Sequence, residues 1–183
     1  MSQLAIVLRE AAETDIPVIT AIYAHHVIYG LGTFEEVAPT AEEMARRRAD
    51  VRALGLPYLV AADDLGLVRG YAYAALYRLR SAYRFTIEDS IYVAPDSLRR
   101  GIGRALLDAL IERCSRTHYR QMVAVIGDSA NLASITLHDR LGFKRIGVQP
   151  AVGFKHGRWI DGVLMQRALG PGASTPPSAA PMP

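Results

Sequence analysis

Between Arg84 and Ile126 a strand pattern, a glycine turn, a helix pattern and a second strand pattern follow each other closely, which leaves few folds open. In RFTIEDSIYV, residues Phe85, Ile87, Ile91 and Val93 mark one apolar face, interrupted by Asp89. From Gly101 to Thr117, residues Leu106, Leu107, Leu110, Ile111 and Cys114 share a stripe at helical spacing. QMVAVI, Gln121 to Ile126, is the short continuous apolar run that suits a buried parallel strand. Such a strand–helix–strand unit crosses over right-handed and puts both strands in one sheet. The fold class is therefore α/β.

The flanking patterns decide which kind of α/β. Leu4 to Leu8 reads as a short strand, followed by a helix through ETDIPVITAIYAHHV that Thr14 or Asp15 can cap, with Pro17 in its first turn. A second helix opens at PTAEEMARRRADVRAL, where Thr40 and Glu43 have capping-box spacing. PYLVAAD and GLVRGYAYAALY then read as antiparallel strands joined by an Asp-Asp-Leu-Gly turn. A helix from Asn131 to Leu141 and two strands around His156-Gly157 close the pattern. Strands and helices do not alternate throughout, so the sheet is mixed rather than doubly wound. No linker splits residues 1–169, which predict one domain.

From Pro171 onward, PGASTPPSAAPMP has no hydrophobic period and reads, with Gly170, as a disordered tail, residues 170–183. The net charge is only +3 and both signs alternate along the chain, which does not resemble a nucleic-acid-binding stripe. No apolar run is long enough to span a bilayer, and MSQLAIVLREA lacks the parts of a secretory signal, so a soluble cytoplasmic protein is expected. A single cysteine, Cys114, excludes an internal disulfide and a clustered-thiol zinc site, and its place on the apolar stripe makes it a core residue. The adjacent His25 and His26, with His118 and His156, show no metal-ligand spacing, and no metal is expected.

The turn before the helix is the chemical question. A helix N-terminus offers unpaired N–H groups and the positive end of the dipole, and small residues let an anion approach. Gly101 and Gly103 supply that access around Ile102, while Arg99, Arg100 and Arg104 add charge. A pyrophosphate would be well served; a strain-relieving turn with solvated arginines would show the same residues. GIGRAL lacks the third glycine of the dinucleotide fingerprint and the Gly-Lys-Ser/Thr ending of a triphosphate loop.

Taken in order, TFEE at 33–36, YRLRSAYRFTIEDSIYV at 77–93, the Gly-x-Gly turn, NLASITLHDRLGF at 131–143 and VGFKHGRWID at 152–161 resemble the GNAT acetyltransferase superfamily. Within it they resemble the branch of phosphinothricin and methionine sulfoximine N-acetyltransferases. The resemblance spans residues 4–169 and implies a splayed mixed sheet flanked by helices, acetyl-CoA as co-substrate, and a homodimer. It places the pantetheine arm beside Ile91, Tyr92 and Val93, the pyrophosphate on residues 99–104, and Asn131 and Ser134 along the arm. The superfamily usually has Gln or Arg three residues before the first glycine of the turn; this chain has Leu98.

Acetyl transfer to an amine needs a proton acceptor, an oxyanion stabiliser and a proton for the departing thiolate. Glu88 shares a strand face with Thr86, Ser90 and Tyr92. Alone it reads as a sheet-surface carboxylate; the resemblance makes it the base, with Asp89 on the other face a weaker candidate. Asn131, Ser134 and His138 share a helix face, either exposed or turned to a ligand, and the resemblance makes His138 the acid or proton relay. The resemblance also implies an oxyanion site at backbone N–H groups near Val93. Arg78 and Arg80, two residues apart, would project together from an extended segment and suit a carboxylate or phosphinate. The resemblance adds Phe34, Glu35, Tyr83 and Lys155 to the substrate site. Transfer to another amine, such as a protein N-terminus or polyamine, and a non-catalytic acyl-CoA sensor are the alternatives. An aminoglycoside acceptor is disfavoured by the cationic YRLRSAYR segment.

Overall fold

The computed structural model describes residues 6–177, so Leu4, Ala5 and the last six residues of the expected tail lie outside them. Seven strands form one sheet in the order β1-β2-β3-β4-β5-β7-β6. These are β1 (Ile6–Glu10), β2 (Tyr58–Asp63), β3 (Val68–Leu76), β4 (Thr86–Val93), β5 (Gln121–Gly127), β6 (Lys144–Lys155) and β7 (Arg158–Ala168). The helices are α1 (Ile16–Tyr29), α2 (Ala41–Ala53), α3 (Ile102–Ser115) and α4 (Leu132–Arg140). Only β4 and β5 run parallel, joined through α3; every other neighbouring pair is antiparallel.

Local chemistry accounts for the element ends. Thr40 Oγ1 accepts from the Glu43 amide at 3.2 Å, while the Glu43 carboxylate turns to Arg46 and Arg47 instead of closing a reciprocal box. Asp15 is half of a different device. Its carboxylate accepts from Ala12 N at 2.7 Å and pairs with Arg9 at 2.6 Å, fastening α1 to β1 rather than capping α1. His156 and Gly157 both have positive φ, 50° and 73°, as a two-residue hairpin with the right-handed strand twist requires. Pro150 is tolerated because β6 is an edge strand and is bulged around it, between Gln149 and Gly153.

The core lies on both faces of the sheet. The α3 stripe of Leu106, Leu107, Leu110 and Cys114 is wholly buried, and Ile19 and Val27 of α1 are equally buried. The stretch from Gly170 to Pro177 makes turns, and Arg120 donates to Gly172 O, Thr175 Oγ1 and Pro176 O. As far as Pro177, the segment that reads as disordered in sequence is therefore laid against the start of β5. Its polar backbone finds a guanidinium partner there.

Candidate active site

The parallel pairing of β4 and β5 is short: Thr86, Ile87 and Glu88 pair with Gln121, Met122 and Val123, and the ladder then stops. The antiparallel register with β3 determines where the freed groups point. Ala94 N bonds Arg69 O and Tyr77 N bonds Thr86 O, so the even-numbered residues of β4 spend their amides and carbonyls on β3. The odd-numbered residues face β5. Beyond the fork, Ile91 and Val93 thus turn backbone groups into an opening that no strand among the described residues fills, and such groups require a partner. One is already taken: His26 Nε2 lies 2.9 Å from Val93 O. Burial lowers the pKa of His26, with the Val93 bond opposing, so a neutral ring donates to that carbonyl. The Tyr92 backbone is committed to Tyr71, and its ring stacks on Tyr71 and meets Tyr23 edge-on. Of the three strand residues expected beside the arm, Ile91 and Val93 therefore present open backbone and Tyr92 presents a ring.

At the mouth of the fork, α3 begins on Gly101, whose φ of 82° is left-handed and whose missing Cβ would meet nothing within 4 Å. Arg99, Arg100 and Arg104 are exposed and form no ion pair among the described residues. Ile102 is buried, so only its amide can serve a ligand. A Cβ on Gly103 would lie 3.5 Å from Leu137 and 3.7 Å from Val93, which shows how closely the helix start packs onto α4 and the end of β4. Leu98 is half exposed beside the turn. Free amides, a dipole and three unpaired guanidinium groups fit a pyrophosphate.

Glu88 lies on the opposite sheet face, cross-strand from Ala75, beside Ser90, whose partner is Tyr73. It makes no hydrogen bond or ion pair among the described residues. Its carboxyl is pushed up to about 7, chiefly by burial, with Asp89 adding and Arg78 opposing. A carboxyl of this kind exchanges a proton near neutrality.

The polar face of α4 spans the fork. Asn131 Oδ1 caps the helix by accepting from Ser134 N at 3.2 Å, and its Nδ2 reaches Gly127 O of β5 at 3.5 Å. At the other end His138 is 4% exposed, with Nε2 3.0 Å from Asp89 Oδ2 of β4 and Nδ1 2.7 Å from Ser134 O. Ser134 Oγ, between them, is 3.4 Å from the same Nδ1. Burial works against charge on His138, but the Asp89 bond and charge outweigh it and raise the pKa. The sequence signal for this partnership was Asp89 itself, the one carboxylate interrupting an apolar face, which burial obliges to find a partner.

The substrate-side candidates gather around the α1–α2 loop and the β3–β4 loop. Lys155 is buried and donates from Nζ to Thr33 O at 2.9 Å. Tyr23 OH and Thr33 Oγ1 lie 3.0 Å apart. Phe34 is half exposed and presses on Gly153, and Glu35 is held by Arg47 at 2.7 Å. The β3–β4 loop bends instead of extending, so the two-residue spacing of Arg78 and Arg80 does not set their directions. Arg78 lies over the Tyr77 and Tyr83 rings, at 5.1 and 5.8 Å, and Arg80 is exposed. His26, Tyr23, Thr33 and Arg47 were not legible as site residues, since nothing in their spacing points to a common location. Among the described residues, no three His, Cys, Asp or Glu side chains cluster to hold a metal ion.

Residues 8–164 match the family model described as an acetyltransferase (GNAT) domain. Phosphinothricin N-acetyltransferase of Alcaligenes faecalis is 54% identical over 177 residues, 97% of this chain and 89% of that protein. An L-methionine sulfoximine/L-methionine sulfone acetyltransferase of Pseudomonas paraeruginosa is 44% identical over 172 residues, 92% of this chain and 98% of that protein. The crystal structure of a GNAT superfamily phosphinothricin acetyltransferase from Sinorhizobium meliloti, in complex with AcCoA, superposes with a TM-score of 0.92. It is 48% identical and covers 94% of this chain and 93% of its own.

Proposed function

The chain belongs to the GNAT acetyltransferase family, and on that premise we propose that it moves acetyl from acetyl-CoA to the α-amine of a small amino-acid analogue such as phosphinothricin or methionine sulfoximine. The observation that carries the reading is the fork itself: the backbone of Ile91 and the N–H of Val93 open into it, on the strand that carries Glu88, a carboxyl that exchanges its proton near neutral pH. An extended pantetheine arm satisfies those groups as a strand would.

In this reading an amine resembling a peptide α-amino group loses its proton to Glu88 at a cost of roughly 1.4 kcal/mol at neutral pH. It then attacks the thioester directly, with no acyl-enzyme. The Val93 N–H supports the oxyanion, for which one preorganised donor contributes about 3 kcal/mol. His138 is the source of the proton for the thiolate. Asn131 and Ser134 line the arm, and Arg99, Arg100, Arg104 and the amides of Gly101, Ile102 and Gly103 hold the pyrophosphate. Arg78, Arg80, Tyr83, Phe34, Glu35 and Lys155 form the acceptor pocket, the two arginines facing the carboxylate and phosphinate or sulfoximine oxygens. We further propose a cytoplasmic homodimer and no metal.

The test is thiol release from acetyl-CoA with phosphinothricin and L-methionine sulfoximine, beside a polyamine and a peptide, for the wild type and Glu88→Gln. Release with an amino-acid analogue, falling about 100-fold or more in the variant, is expected. Release with the polyamine or peptide alone discards the acceptor. Acetyl-CoA binding without release from any of these amines counts against the enzymatic reading and favours the sensor.

A further inference from the structure

We propose that Asp89, His138 and Ser134 form a proton relay in which Asp89 is a positioning residue: it keeps His138 doubly protonated, and His138 passes its proton through the Ser134 hydroxyl to the departing thiolate. The inference rests on the acetyl-transfer reading and assigns His138 a route, a charge state and two partners.

The two ring nitrogens of His138 face different acceptors. Ser134 O, at 2.7 Å from Nδ1, is a carbonyl and can only accept, so Nδ1 carries a proton. Nε2 faces Asp89 Oδ2 at 3.0 Å inside the protein, both side chains being nearly inaccessible. A carboxylate oxygen at that distance can only accept, so Nε2 carries a proton as well and the ring is an imidazolium beside a carboxylate. Among the described residues Asp89 Oδ1 has no hydrogen-bond partner, which leaves His138 as the group that compensates the buried negative charge there. The other titratable groups near Asp89 are Glu88, on the opposite face of β4, and the buried Cys114 thiol of α3.

A ring tied at both nitrogens does not itself point at a thiolate. Ser134 supplies the missing step. Asn131 meets β5 at Gly127 and His138 meets β4 at Asp89, so Ser134, between them on the same helix face, hangs over the fork. Its Oγ is 3.4 Å from Nδ1, so the Nδ1 proton lies between two oxygens of one residue. As the C–S bond breaks, the sulfur takes the Ser134 hydroxyl proton and Oγ takes the Nδ1 proton. His138 is left a neutral imidazole with Nε2–H still on Asp89. Water returns the proton after the product leaves. The same charge state excludes Ser134 as an acylated nucleophile, because an imidazolium cannot accept its proton.

The test has one arm that needs no turnover. Nitrogen-15 spectra of the histidine rings of the whole chain, with His138 assigned from His138→Gln, should show both His138 nitrogens protonated at neutral pH. A neutral ring there overturns the proposal, even if acetyl transfer is confirmed. The second arm is the pH profile of kcat. Asp89→Asn should move the alkaline limb down by about one unit or more, while the acidic limb assigned to Glu88, held up chiefly by burial and only secondarily by Asp89, moves down less. Ser134→Ala should lower kcat about 100-fold, a much larger factor than its rise in acetyl-CoA KM, and Ser134→Thr should restore most of kcat. An unmoved alkaline limb, or a Ser134→Ala variant with full kcat, also overturns it.

Discussion

At the scale of single residues, Glu88 is held in a state that costs stability. Its carboxyl titrates at about 7, against an ordinary 4.5, because burial and Asp89 disfavour its charge more than Arg78 relieves it. The folded chain therefore binds more protons than the unfolded chain between those pH values. Stability falls as pH rises through that window, by roughly 3 kcal/mol in all for this one group. Glu88→Gln removes that component, so its urea-unfolding free energy should exceed that of the wild type at pH 8 and differ little at pH 4. Equal slopes with pH in the two proteins would show that Glu88 titrates normally. The acidic limb of the wild-type rate profile should fall near the same pH of about 7, and its position is read from kcat/KM for the amine.

Among elements, the α1–α2 loop depends on contacts that are far apart in the chain. Gly127 of β5 leaves no room above it: a Cβ there would come 2.1 Å from Leu31 O, which is backbone and cannot swing aside. Gly127→Ala should push the loop off the sheet and cost at least about 1–3 kcal/mol, seen as a lower Tm. Because the loop carries Phe34 and Glu35, the amine KM should rise more than the acetyl-CoA KM. An unchanged KM ratio would separate the loop from the acceptor pocket. At Gly153 a Cβ would come 2.5 Å from the Phe34 ring, a side chain that can turn away, so Gly153→Ala is the milder control.

For the molecule as a whole, the two ends of the β4–β5 pair do different work. Arg120 and Gln121 meet the C-terminal segment at one end, and the fork opens beyond Val123 at the other. Deleting residues 171–183 removes the three Arg120 contacts, at 3.4, 3.3 and 3.1 Å, and nothing described at the fork. Such a chain should unfold about 1 kcal/mol more easily and keep its kcat within about twofold. Loss of turnover would tie the tail to the site.

Much of this architecture is written locally. The β4–α3–β5 unit, the Thr40 cap, the His156-Gly157 turn and the apolar α3 stripe each follow from periodicity or turn chemistry within a few residues. The Gly-x-Gly turn with its arginines was likewise legible, as was the shared face of Asn131, Ser134 and His138. What tertiary structure decided is where the β4–β5 ladder stops and which polar groups meet there. His138 and Asp89 are 49 residues apart, His26 and Val93 are 67 apart, and Lys155 and Thr33 are 122 apart. Sequence shows that a buried carboxylate needs a partner, but the partner is chosen by how α1, α3 and α4 pack on a common sheet. Spacing reports only what lies within a turn or a pleat; contacts across the sheet exist only once those helices are in place.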